Sequence, residues 1–207
     1  MKVIIFYSIR KVVCHGIPNT RILNEGDSIN VDVTNYFKGQ HGDSSVMIYI
    51  NKPHPEIKRL GDVTREAMFD AIKICKPGQK FSKIGQVIQE YVMSRGFYLV
   101  SEFTGHGVGK NVHMLPSVYH IGNNFNKNNL FLANQSEEVM KEGLAFTIEP
   151  IVCLKPYSEL YIFQDNWSIF LPQNPSAQWE HTILITNTGH EILTKRENEK
   201  FPQNYYV

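Results

Sequence analysis

Ser28-Ile29-Asn30-Val31-Asp32-Val33-Thr34-Asn35-Tyr36-Phe37, then Lys38-Gly39, then Gln40-His41-Gly42-Asp43-Ser44-Ser45-Val46-Met47-Ile48-Tyr49-Ile50 is the segment on which the architecture turns. Ile29, Val31 and Val33 alternate with Asn30, Asp32 and Thr34, the period-two pattern of a strand with one apolar face. Lys38-Gly39 offers a two-residue turn, and Gln40 to Ile50 resumes as a second strand. Such a turn pairs Thr34 with Asp43, and Asp32 lies on the same face as Thr34. Both aspartates then project from one face of one hairpin. A carboxylate within an apolar strand is costly to bury alone, so buried charges are paired or hold metal. For one such residue taken singly, a wet strand face or a salt bridge is the ordinary outcome.

Outward from the hairpin, Asp62 to Cys75 carries an apolar stripe of Val63, Ala67, Ala71 and Ile74 and stops at Pro77-Gly78, which predicts a helix. Ser82 to Arg95 predicts a second, with Ser82 as N-cap, Ile84, Ile88 and Tyr91 buried, and Gly96 as the stop. Phe97 to Phe103 and Leu144 to Ile148 read as strands. Gln178 to Thr186 alternates, with Glu180 and Thr182 opposite Trp179, His181 and Ile183. Asn187-Thr188-Gly189 turns the chain into a final hairpin through Glu191 to Thr194. Met1 to Phe6 reads as a strand or a broken domain edge. Residues 122–136 hold six asparagines and read as a surface insertion. Helices between hairpins give an α+β class in a single domain over residues 1–207. Hairpins near both ends hint at an old internal duplication.

The chain has 207 residues, enough to bury a core in one domain. Its net charge of +1, from 21 basic and 20 acidic residues, supplies no field for nucleic acid or an anionic membrane. The longest apolar runs fall short of the ~20 residues of a membrane span. Cys14, Cys75 and Cys153 are widely spaced and lack a C-x-x-C pattern, as in proteins of a reducing compartment.

Glu149 follows the apolar run Phe146-Thr147-Ile148, and Glu180 sits in the last alternating segment. Gly105-His106-Gly107-Val108-Gly109 puts glycines on both sides of a histidine, which lets backbone approach closely. Seven residues later comes His113, a second imidazole fit for ligation or proton transfer. Asp32, Asp43, His106, Glu149 and Glu180 together could hold two divalent cations side by side, a centre that activates water at neutral pH. His15 lies in a turn before Gly16-Ile17-Pro18. A Cys14-His15 nucleophile pair would need a third, orienting group, and such pairs need not be adjacent in sequence, so adjacency alone does not make one. His41, His54, His120, His181 and His190 read as ordinary histidines.

Six segments carry a resemblance. They are Val12-Val13-Cys14-His15-Gly16-Ile17-Pro18, Asn30-Val31-Asp32-Val33-Thr34, His41-Gly42-Asp43-Ser44-Ser45, Gly105-His106-Gly107-Val108-Gly109, Phe146-Thr147-Ile148-Glu149-Pro150 and Ser176-Ala177-Gln178-Trp179-Glu180-His181-Thr182. In this order, from about Ser8 to Lys195, they resemble the type I methionine aminopeptidases, within the M24 metallopeptidases. The resemblance implies the pita-bread fold, two pseudo-symmetric α/β halves around a dinuclear site. It implies that Asp43 and Glu180 bridge two metals, that Asp32 completes one shell, and that His106 and Glu149 complete the other. Glu149 would also shuttle the proton. His113 would contact the scissile peptide, His15 the second residue or the leaving amine, and Trp167 would wall the methionine pocket.

The activity implied is removal of the initiator methionine from nascent chains by a metal-bound hydroxide, with a small second residue preferred. Carboxylate-rich ligation favours manganese, iron or cobalt, with zinc the remaining candidate. The implied protein is a monomer close to the ribosome. Its implied location is cytoplasmic, or organellar if a targeting segment precedes it. The 31 positions from Glu149 to Glu180 leave no room for the insertion of type II enzymes. X-Pro aminopeptidases and prolidases share the five ligands but lack Cys14 to Pro18. A non-catalytic pita-bread binding protein is the alternative of another class.

The chain also departs from the family. Thirteen residues precede Cys14 where the family has a longer N-terminal segment, so part of that region is expected to be missing. Arg10-Lys11 stands for Asn-Glu, Val112 for a phenylalanine, and Met114-Leu115 for Glu-Glu.

Overall fold

The computed structural model describes residues 2–9, 11–122, 137–197, 199 and 205–206. The asparagine-rich insertion, Gly122 apart, lies outside them. The hairpin forms as its sequence demands: β3 (Ser28–Phe37) pairs antiparallel with β4 (Gln40–Tyr49), and Thr34 faces Asp43. Lys38 and Gly39 make the turn, both at positive φ, where glycine is strain-free. Strand β1 (Lys2–Ile9) adds to the outer side of β3, with Phe6 opposite Asp32. The N-terminal run is thus a full eight-residue strand. Strand β2 (Val12–Cys14) follows.

Helix α1 spans Pro55–Lys73 and begins seven residues before the expected Asp62. Pro55 in the first turn has the φ the helix needs, and His54 caps the end through its ring. Ile57 and Leu60 already belong to the helix's core-facing stripe, so the apolar pattern begins one turn before Asp62. Helix α2 spans Ser82–Ser94, but its N-cap is Phe81, which offers no side-chain acceptor. Ser82 is therefore the first helical residue, not the cap. Gly96, at φ +81, ends the helix as expected.

The remaining strands are β5 (Tyr98–Leu99), β6 (Thr104–Gly107), β7 (Met114–Tyr119), β8 (Ala145–Ile148), β9 (Ile151–Cys153), β10 (Tyr161–Ile162), β11 (Ile169–Phe170), β12 (Ser176–Gln178), β13 (His181–Ile185), β14 (His190–Ile192) and β15 (Tyr205–Tyr206). The strand expected over Phe97 to Phe103 shrinks to two residues. Past Leu99 the chain makes one bond, Val100 N–H to the Ile151 carbonyl, and leaves the ladder.

Among the described residues four sheets form, in the orders β1-β3-β4-β15, β10-β11-β2, β12-β9-β5 and β14-β13-β8-β6-β7. Both helices pack together and against strands from three of them. Met47, Leu60, Met68, Ile84, Ile88, Phe146, Ile148 and Ile183 lie in this shared core. Truncating one of these large side chains to alanine would cost about 2–5 kcal/mol. The result is the α+β pita-bread arrangement, with first and second halves joined where β4 meets the β12–β13 connection. There Ser45 and Glu180 exchange both backbone hydrogen bonds, at 3.3 and 3.2 Å.

Candidate metal centre

Along β4 one buried face runs from Tyr49 and Met47 in the core through Ser45 to Asp43 at a cavity. Asp32 and Thr34 arrive on β3, His106 on β6, and Glu149 just beyond the end of β8. Glu180 sits in the bridge between β12 and β13. The glycines around His106 are required by packing. Strand β6 lies between β7 and β8, and a Cβ on Gly105 would strike the Thr147 carbonyl, one on Gly107 that of Leu115. His106 is therefore the side chain that this part of β6 can present.

The cavity measures about 740 Å³ and is lined by Asp32, Asp43, His106, Glu149, Glu180, His113, His15 and Trp167, all eight expected site residues, among others. Ligand atoms of Asp43, His106 and Glu180 lie within 4.8 Å of one another. His106 Nε2 is 3.4 Å from Glu149 Oε1 and 4.0 Å from Asp43 Oδ2. Its Nδ1 faces the Gly107 carbonyl at 3.1 Å, an acceptor, so Nδ1 carries the proton. The Nε2 lone pair of a neutral ring then points at carboxylate oxygens, an arrangement that calls for a cation between them.

The electrostatics of the cavity point the same way. Burial lowers the His106 pKa, with the Gly107 hydrogen bond opposing. Burial, then the Asp43 charge, pushes Asp32 up to about 7. Glu149 and Glu180 are held well above the usual carboxylate range, first by burial and then, in part, by neighbouring carboxylates. Asp32 Oδ1 is buried without a hydrogen-bond partner among the described residues. Among the described residues that line the cavity there is no lysine or arginine. These side chains fit divalent cations, the charge that would relieve both the orphaned oxygen and the crowding.

Substrate-side residues gather next to the acids. His15, at φ +59, stacks on Trp167 with ring centroids 5.1 Å apart, and Phe103 meets it edge-on at 6.0 Å. His113 stands edge-on to His106 at 4.3 Å and is exposed in the cavity. Gly16 must be glycine, since a Cβ there would collide with the Tyr7 carbonyl. Burial, then Glu149 and Asp32, drives the Cys14 thiol up, which counts against a nucleophilic role.

Several residues without a role in the sequence-based expectation support the site. Thr34 donates to Asp43 Oδ1 at 2.8 Å. Thr147 donates to Glu149 Oε1 at 2.7 Å and accepts from the His106 backbone at 3.0 Å. Thr182 fixes the Asp43 backbone from both sides, at 3.0 and 2.8 Å. The Gln178 amide lies 3.4 Å from Glu149 Oε2. His120 is not an ordinary histidine: burial brings it down to about 3, and its neutral Nε2 accepts from the Glu149 backbone at 3.1 Å. Thr34 and Thr182 were findable, since each shares a strand face with a ligand. His120 lies 29 positions from its partner and carries no local signal.

The model of metallopeptidase family M24 matches residues 1–187. A methionine aminopeptidase of Buchnera aphidicola is 41% identical over 198 residues, covering 95% of this chain and 71% of that protein. The crystal structure of methionine aminopeptidase from Rickettsia prowazekii superposes with a TM-score of 0.84 at 38% identity, covering 92% of this chain and 73% of that one. A prolidase from Pyrococcus horikoshii, at 24% identity and a TM-score of 0.72, covers 94% of this chain and 48% of its own and shares the fold.

Proposed function

This chain belongs to metallopeptidase family M24 and, within it, to the methionine aminopeptidases, and from that premise we propose how its cavity removes an N-terminal methionine. Asp43 and Glu180 would bridge two divalent ions, Asp32 would complete one shell, and His106 with Glu149 the other. When bound, such a pair supplies an activated water and polarises the scissile carbonyl. The oxygen-rich donor set favours manganese, iron or cobalt over zinc.

The chain's own groups do the rest. Thr147, with the Gln178 amide nearby, holds the Glu149 carboxyl in one orientation, in which it would take a proton from the attacking water and hand it to the leaving amine. His113 points a ring nitrogen at the peptide oxygen as charge builds there. His15, braced on Trp167, meets the second residue or the leaving amine. Trp167 and Phe103 give the methionine side chain an apolar wall beside the acids. An incoming ammonium also suits a cavity lined by five carboxyls, Glu102 among them, with no lysine or arginine among the described lining residues. The proposed substrates are nascent chains with a small second residue, taken near the ribosome by a cytoplasmic monomer.

One observation carries this reading. The His106 lone pair, the orphaned Asp32 oxygen and three further carboxyls converge on one cavity, and no lysine or arginine is among its described lining residues. Hydrolysis of Met-Gly peptides with manganese or cobalt added tests it. Turnover with two metal equivalents bound by calorimetry is expected, and a folded, metal-loaded protein that cleaves none would overturn it.

A further inference from the structure

A peptide whose amino terminus reaches the acidic floor must leave past cavity residues that also reach solvent. Four of these are large and apolar: Ile4 (53% exposed), Met114 (41%), Leu115 (84%) and Trp167 (48%). Met114 and Leu115 stand out, because they open β7 immediately after His113. Met114 faces Gly107 in the β6–β7 ladder. The Leu115 carbonyl packs so tightly on Gly107 that no Cβ fits between them. Their backbone is therefore fixed to the strand that carries His106. Their side chains add little to the core, which takes Val118 from this strand instead. Because their backbone is already fixed, a ligand that covers these side chains orders only their rotamers and not the chain itself. Exposed apolar clusters rimming a cleft mark contact surfaces. Glu102, exposed on the same rim, adds a negative charge that disfavours acidic ligands.

We propose that Met114 and Leu115 form an apolar subsite for substrate residues downstream of the cleaved bond, so that peptides with apolar third and fourth residues are taken in preference to acidic ones. This rests on the reading of the cavity as the aminopeptidase site. The test compares Met-Gly-Leu-Leu, Met-Gly-Ser-Ser and Met-Gly-Asp-Asp peptides on the metal-loaded protein. Both kcat/KM and binding of C-terminally labelled peptides by fluorescence polarisation are measured. The Leu-Leu peptide should exceed Asp-Asp by about tenfold in both measures, with Ser-Ser between them, a modest gain in contact energy. In the Met114→Ser, Leu115→Ser double variant the Leu-Leu to Asp-Asp ratio should fall to about twofold or less, the preference that Glu102 alone sustains. Because the readout is a ratio, a partly folded variant cannot mimic that fall.

Equal handling of all three peptides by the unaltered protein, or an unchanged ratio in the double variant, would overturn the subsite. If none of the peptides is cleaved but the binding preference appears and collapses as described, the subsite stands and the aminopeptidase reading falls.

Discussion

Thr34 Oγ1 donates to Asp43 Oδ1 at 2.8 Å across the β3–β4 ladder, where the two residues face each other. The bond occupies one carboxylate oxygen and sets the direction of the other, which lies 4.0 Å from His106 Nε2. Groups that orient a ligand in this way typically change metal affinity by roughly 10–100-fold when removed. Thr34→Val keeps the β-branched shape and loses the donor. It should weaken manganese binding by at least about tenfold in calorimetry, while Thr34→Ser restores most of it. Equal affinities for the valine variant and the unaltered protein would refute this orienting role.

Asp43 itself is expected to be indispensable. Its backbone is held by Thr182 at both N–H and carbonyl, so Asp43→Asn should leave the hairpin in place. The amide supplies no anionic bridge between two ions. Calorimetry on the variant should show both equivalents lost, together with peptide hydrolysis. Two tightly bound ions in a folded Asp43→Asn protein would remove Asp43 from the bridging position.

The carboxyl cluster sets a pH dependence with a definite sign. Asp32 is raised to about 7 by burial and then by Asp43, and Glu149 and Glu180 are raised as well, with burial the leading cause. A native acid with a raised pKa holds its proton longer than in the unfolded chain. Its contribution is therefore full below the unfolded value of about 4 and is lost as pH rises from there through about 7. The metal-free protein should lose thermal stability over that window. Cations bind the deprotonated form, so the Tm gain on adding manganese should grow from about pH 5 to about pH 8. A gain that shrinks over this range would contradict a carboxylate site.

Much of this site could be read along the chain, for local reasons. The two-residue Lys38-Gly39 turn fixes the pairing of Thr34 with Asp43, so both aspartates could be placed on one face. The glycines around His106 announced a tight backbone, and Gly105 and Gly107 do abut carbonyls. Pro55 was an available signal for the start of α1, as were Ile57 and Leu60 at helical spacing before Val63. What could not be read was brought in by the fold from far away. His120 reaches Glu149, and Glu199, from a polar tail with no periodicity, reaches His181. The meeting of the two halves at Ser45 and Glu180 is likewise a tertiary fact.

Glu199 supplies the last prediction. Its side chain is 1% exposed, yet it lies 3.3 Å from His181 Nε2, 3.1 Å from Arg196 Nη1 and 3.9 Å from Arg65 Nη2. Burial pushes its carboxyl up, but the His181 hydrogen bond and charge and the Arg196 charge outweigh that and bring it down to about 2. Burial in turn lowers His181, so at about pH 7 His181 acts as a hydrogen-bond donor and the charged partners are Arg196 and Arg65. His181 adjoins Glu180 in sequence, and Arg196 Nη2 reaches the Ser45 carbonyl at 3.4 Å, so this cluster backs the junction of the two halves. Removing one partner from a buried ionic cluster leaves the others uncompensated, at a cost of about 3–5 kcal/mol. Glu199→Gln should lower stability by that order in urea unfolding at about pH 7. A depressed carboxyl contributes fully above its unfolded value of about 4.5 and loses that contribution as pH falls toward about 2. The gap between the two proteins should therefore narrow below about pH 4.5. A gap that stays constant down to about pH 3 would show that Glu199 acts by packing and not by charge.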